Sequence, residues 1–145
     1  SDSQSSKVIQ IEVAMGAAIQ CFEDSTVIEV PRSRFSPVKS CEDLLALRSD
    51  AYQVSDDFQI QLCESRAGVP PEVELNDEIF KNYKTFEEMT PYGAPSLIKC
   101  KSIKVEGPVK FGKEISFQGT ITITNDSKSV KEISSGNYID NNILL

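Results

Sequence analysis

Three cations on a proline-stiffened segment, Arg32, Arg34 and Lys39 within VPRSRFSPVK (Val30 to Lys39), are the residues of this chain best suited to chemistry. Pro31 and Pro37 each fix a φ angle and bias Val30 and Ser36 toward extended backbone, so the segment is preorganised. Alternate side chains of an extended run share a face. Arg32 and Arg34 therefore point one way, while Ser33 and Phe35 point the other, with Phe35 as a core anchor. Two guanidiniums and a nearby ammonium on a long stem suit phosphate oxygens. Cations beside prolines are more often solvated or paired with carboxylates, and no glycine-rich loop accompanies these. The residue types alone leave both roles open.

The elements that must position these cations are readable from periodicity. Val8, Ile11, Met15, Ala18, Ile19 and Phe22 recur at three- and four-residue steps and predict an amphipathic helix from Lys7 to about Phe22, with Gly16-Ala17-Ala18 as a close-packing patch. Behind Lys39, Ser40 is an N-cap candidate, Glu42 and Asp43 favour the helix dipole, and Leu44, Leu45 and Leu47 supply a buried face. Free amides at that helix start suit an additional anion site beside Lys39, and equally an ordinary capped surface helix. Residues 54–75, with Asp56-Asp57, Gly68 and Pro70-Pro71, read as a polar linker. A second helix is expected from near Asp77 to Met89, capped by Asn76 or Asp77, with Ile79, Phe80, Tyr83, Phe86 and Met89 on its apolar side. Thr90-Pro91-Tyr92-Gly93 and Pro95 end it.

The last third carries a six-residue ladder: Leu97, Ile103, Val109, Ile115, Ile121, Ile133, Ile139 and Leu145, with Ser127 the one polar member. Hexapeptide periodicity marks solenoids. Val105, Phe111, Phe117 and Ile123 stand two residues after successive ladder members, as alternation in short strands requires. Gly107, Gly112, Gly119 and Gly136 suit the corners. Residues 97–145 thus read as a parallel β-helix of under three coils, in preference to an antiparallel meander, which has no reason to keep a period of six. The open end of such a solenoid, around Ile139 to Leu145, is a self-association surface and so a route to a homo-oligomer.

Composition limits the function classes. The 145 residues are enough for one ordinary domain, and 39% are hydrophobic. With 22 acidic and 15 basic residues, a net charge of -7 and scattered lysines, nucleic acid is not an expected partner. No apolar run is long enough to span a bilayer, and a cytoplasmic location is expected. Cys21, Cys41, Cys63 and Cys100 include no close pair of the kind that grips zinc, and reduced thiols are expected. The absence of histidine removes catalytic triads and imidazole bases from this chain, and with them the reading of a hexapeptide-repeat acyltransferase. Asn125-Asp126-Ser127 reads as a polar turn.

The run VIQIEVAMGAAIQCFED, then VPRSRFSPVKSCEDLLAL, and more loosely SIKVEGPVKFGKEISFQGTITI, resembles the C-terminal portion of the UTP-glucose-1-phosphate uridylyltransferase (UDP-glucose pyrophosphorylase) family. Departures are Ser36, where members carry a larger apolar residue, and Cys41-Glu42, where they carry Thr-Ser. The resemblance implies an α+β fragment. Residues 1–53 would be a helical and extended piece closing an α/β nucleotidyltransferase domain, 54–75 a linker, 76–96 a connecting helix and turn, and 97–145 a β-helix of left-handed coil. It implies an enzyme that makes UDP-glucose and pyrophosphate from UTP and glucose 1-phosphate with Mg2+. Lys39 would be catalytic and bind phosphate, and Arg32 and Arg34 would assist or brace the segment. No metal ligand is identified in the chain. The family's nucleotide loop and sugar-binding residues are absent from it, so the piece alone is expected to be inactive. A non-catalytic self-association scaffold is the alternative.

Overall fold

The computed structural model describes residues 15–30 and 37–145, and the chain divides into two compact units between Ser36 and Pro37. In the first unit Met15–Cys21 form a 3-10 helix, not the α-helix the periodicity predicts; Val8 and Ile11 of that pattern lie outside the described residues. Ile19, Phe22, Val27 and Ile28 are exposed, and a Cβ on Gly16 would meet open space among the described residues. Short helices are marginal in water unless an apolar face is covered, which accounts for the tighter turn.

In the second unit the chain enters α1 (Cys41–Arg48), whose Leu45 and Ala46 are buried. Strands β1 (Tyr52–Val54) and β2 (Ile60–Leu62) make an antiparallel hairpin. After a 3-10 turn at Glu64–Arg66, β3 (Glu72–Leu75) pairs parallel with β4 (Ser96–Glu106). Residues 54–75 are therefore folded structure and not a linker. Polar side chains there hid strands that bury only one face, since strand alternation over three or four residues is a faint signal.

The helix expected from Asp77 to Met89 is two: α2 (Asp77–Phe80), capped by Asn76, and α3 (Tyr83–Met89), capped by Asn82. Each cap side chain accepts an N–H from the following turn, at 3.2 Å from Ile79 and 2.9 Å from Thr85. Asn82 ends one helix by starting another, a competition that Asn, with its short side-chain acceptor, tends to win. Phe80, Phe86 and Met89 are buried, while Tyr83 is exposed.

Beyond α3 every strand pairing is parallel. β4 pairs with β6 (Ile115–Thr124), β5 (Val109–Phe111) with β7 (Lys131–Ile133), and both β8 (Gly136–Ile139) and β9 (Asn142–Leu144) with β6. Ile103 stands beside Ile121, three ladder steps on, and Val105 beside Ile123. Leu97, Ile103, Val109, Ile115, Ile121, Val105, Phe111, Phe117 and Ile123 are all buried in one core with Leu45, Phe80 and Phe86.

The strict register ends at Ile123. Ile133 lies beside Phe111, and Ile115 pairs with Gly136. Extra residues in the 125–130 turn lengthen that circuit, so Ser127 and Ile139 are exposed and Leu145 only half-buried. Asn125, read as part of a polar turn, is buried. Gly107, at φ +82, lies under it: a Cβ there would stand 2.0 Å from the Asn125 carbonyl oxygen, so only glycine fits that corner.

The start of β4 is irregular, with register shifts between Ser96 and Lys99 and between Cys100 and Ser102. Two charged side chains brace it. Asp50 accepts the N–H groups of Leu97 and Ile98 at 2.8 and 2.9 Å and the Ser96 hydroxyl. Arg66 donates to the carbonyls of Leu97, Ile98 and Cys100, and to that of Val69 at 3.0 Å. Asp50→Ala leaves two strand amides without acceptors. It is expected to lower unfolding stability by roughly 1.5–3 kcal/mol, the range for hydrogen bonds to charged groups; chemical denaturation checks this, and an unchanged midpoint would remove the bracing role.

Candidate functional site

Lys39 sits at the end of an exposed stretch, 37–39, that leads into the Ser40 cap of α1. Its position follows from the cap behind it. Ser40 has extended backbone at φ -134, ψ 169 and closes a capping box with Asp43. Ser40 Oγ accepts the Asp43 N–H at 3.3 Å, and Asp43 Oδ2 accepts the N–H groups of Lys39 and Ser40 at 2.9 and 3.2 Å. Glu42 Oε1 accepts the Leu75 N–H at 3.0 Å, tying the first turn of α1 to β3. The backbone of Lys39 is thus fixed by its neighbours, while its side chain stays exposed.

The same cap bears on the anion site expected at the helix start. The Asp43 carboxylate takes the N–H groups of Lys39 and Ser40, Ser40 Oγ takes that of Asp43, and Glu42 stands beside them in the first turn. A carboxylate already in that position satisfies the helix dipole and repels a second anion.

Lys39, Ser40, Cys41 and Glu42 form one wall of a cavity of about 650 Å3. Leu75, Asp77, Glu78, Phe80 and Lys81 form the other. Leu75 and Phe80 contribute apolar side chains to its lining, and two lysines share it with three carboxylates. The Cys41 thiol is pushed up by burial and then by the Glu42 charge, which keeps it protonated and a poor nucleophile. Cys100, a fully buried residue of β4, is pushed up to about 11 by burial and is a packing residue. The four cysteines are free.

Of the three cations singled out in the sequence, the structure places Lys39 alone; Arg32 and Arg34, with Phe35, lie outside the described residues. Lys81, Asp77 and Glu78 on the facing wall were missed as site residues. The Asn76 cap located the helix that carries them, but nothing local in the sequence signals that its start faces Lys39. Among the described residues no group of three or more acidic or sulfur side chains is arranged to hold a metal ion. No helix among the described residues is long and apolar enough to cross a membrane.

This α+β chain with parallel strands is similar to the C-terminal portion of a class of nucleotidyltransferases. The sequence profile of the family described as UTP-glucose-1-phosphate uridylyltransferase matches residues 1–118, and the chain belongs to that family. It is 38% identical over 138 residues to the UTP-glucose-1-phosphate uridylyltransferase of Musa acuminata, covering 95% of this chain and 29% of that protein. With the enzyme of Saccharomyces cerevisiae it shares 33% over 140 residues, covering 97% and 28%. Among solved structures, the UDP-glucose pyrophosphorylase of Leishmania major, described in open and closed forms, superposes with a TM-score of 0.83 at 48% identity, over 99% of this chain and 30% of that one. The Trypanosoma brucei UDP-glucose phosphorylase gives 0.84 at 48%, over 99% and 31%. The chain corresponds to a C-terminal portion and spans under a third of the length of these relatives.

Proposed function

We propose that this chain is the C-terminal part of an enzyme that forms UDP-glucose and pyrophosphate from UTP and glucose 1-phosphate, with Lys39 neutralising charge on the phosphates. The observation that carries the reading is the family match together with the placing of Lys39 on a cavity wall by a cap that leaves its ammonium exposed. In phosphoryl chemistry the protein mainly positions reactants and offsets charge, which a lysine does without titrating. Arg32 and Arg34 act in the same segment, on phosphate or on carboxylates that brace it. Mg2+ would supply charge neutralisation on the phosphates in the full-length enzyme. Alone, the chain is inactive, because one cation cannot replace the convergent contacts that bind a nucleotide and a sugar phosphate. The enzyme works in the cytoplasm. UDP-glucose formation by the full-length protein tests the reading; no nucleotidyl transfer from UTP to glucose 1-phosphate would sink it.

Residues 1–53 close the nucleotidyltransferase domain, and 97–145 are a short left-handed parallel β-helix. The parallel pairings one circuit apart support this. The left-handed sense rests on the family, since ordinary parallel crossovers are right-handed. β8 and β9 pair only with β6, and Ile139 and Leu144 beside that free edge are 57% and 75% exposed. This favours a second role, self-association through the last coil, which on its own would make the chain a scaffold. In sedimentation of the full-length protein, Ile139→Asp with Leu144→Asp is expected to halve the mass of a dimer; an unchanged mass would remove that role.

A further inference from the structure

The hairpin of β1 and β2 has one apolar and one polar face. Tyr52 pairs with Leu62 and Val54 with Ile60, while Gln53 pairs with Gln61 on the other side. At the base of the apolar face, Tyr52 packs against the core. Toward the tip the same face is bare: Val54 is 65% exposed, Ile60 51%, and Phe58 in the turn 89%. A two-stranded hairpin is marginal by itself and is stabilised by covering such a face.

The tip is nonetheless firmly built. Ser55 N–H donates to the Gln59 carbonyl and Phe58 N–H to the Ser55 carbonyl, each at 2.9 Å, and the Gln59 side-chain amide donates to Asp57 at 2.6 Å. Phe58 itself stands at φ +59, an uncommon conformation for a bulky aromatic residue and one that has a cost. A fixed turn that places an aromatic ring in solvent, continuous with an apolar face already half-covered, is the form of one side of an interface.

We propose that this hairpin docks on the preceding, N-terminal part of the same full-length protein. Its receiving surface is an apolar depression with a basic rim, since Asp56 and Asp57 adjoin Phe58. The chain spans only 30% of the Leishmania major structure and is a C-terminal portion, so the larger part of the protein lies before it, on the same polypeptide. Tethering gives such a partner an effective concentration on the order of millimolar, which a second copy in dilute solution does not match. The inference rests on the fragment being C-terminal and not on the role of Lys39.

Hydroxyl-radical labelling of the full-length protein, read residue by residue by mass spectrometry, tests this, with buried Phe111 and Phe117 as internal standards. Phe58 is expected to label as slowly as those two, and equally slowly when the protein is diluted to its smallest species. Ile60→Asp is expected to raise labelling of Phe58 several-fold while Phe111 and Phe117 stay protected, which separates undocking from unfolding. Labelling of wild-type Phe58 at the rate of an exposed ring would overturn the proposal. So would protection that disappears on dilution, which would assign the face to a second copy, and a variant in which Phe58 stays protected or all three rings label together.

Discussion

In the full-length enzyme, Lys39→Ala is expected to reduce kcat for UDP-glucose formation by about a hundredfold to a thousandfold, the range for removing one preorganised group that stabilises developing charge. The melting temperature is expected to stay unchanged. Both halves follow from the local structure. The Lys39 side chain is exposed, and no carboxylate among the described residues forms an ion pair with it, so its removal takes little from the fold. The contact that holds this residue is its own N–H to Asp43 at 2.9 Å, which alanine keeps. If the ammonium acts on charge that grows in the transition state, the loss appears in kcat; if it only helps hold UTP, KM rises and kcat stays. Lys39→Arg preserves the charge but replaces a compact donor by a planar fork, and intermediate activity is expected. Unchanged turnover in Lys39→Ala would leave this region as a packing and assembly module.

What the sequence made legible was local or strictly periodic. The Ser40 cap needed only four residues in a row, and the structure closes it with Asp43. The ladder from Leu97 to Ile121 follows a fixed repeat, and the structure buries each member. Where periodicity was broken by extra residues, at 125–130, the later hits fell on the ladder by coincidence: Ile133 is buried beside Phe111, but Ile139 faces solvent. Strands β1 to β3 were missed because they are short and polar on one face, and the pairing of β3 depends on β4, far along the chain. The cavity facing Lys39 was missed for the same reason, since Glu42 meets Leu75 through a contact that no local pattern encodes. The start of β4 shows the limit most clearly, because no local pattern marks Asp50 and Arg66, which hold its irregular backbone.

Asn125→Ala is expected to cost about 3–4 kcal/mol, the largest stability loss of any substitution considered, because one side chain closes the corner at which the ladder changes length. Its amide nitrogen donates to the carbonyls of Pro108 and Ser129 at 2.8 and 2.9 Å, and its amide oxygen accepts from Ser127 N–H and Oγ at 3.0 and 2.7 Å. Alanine leaves two carbonyls and an amide to find water in a place where Asn125 is buried, and unmet buried groups cost more than a made bond returns. Asn125→Asp keeps the shape and the acceptors but turns the donor toward Pro108 and Ser129 into a second acceptor carrying charge, so it is expected to be at least as harmful as alanine. Ser127→Ala removes one acceptor contact of Asn125 at an exposed position and is expected to lose about 1 kcal/mol or less. That order, Asp and Ala at 125 well below Ala at 127, is read by urea unfolding at neutral pH. If the two alanine variants unfold at the same midpoint, the corner is held by its backbone, through the Asn125 N–H to Glu106 and the glycine beneath it, and not by the asparagine side chain.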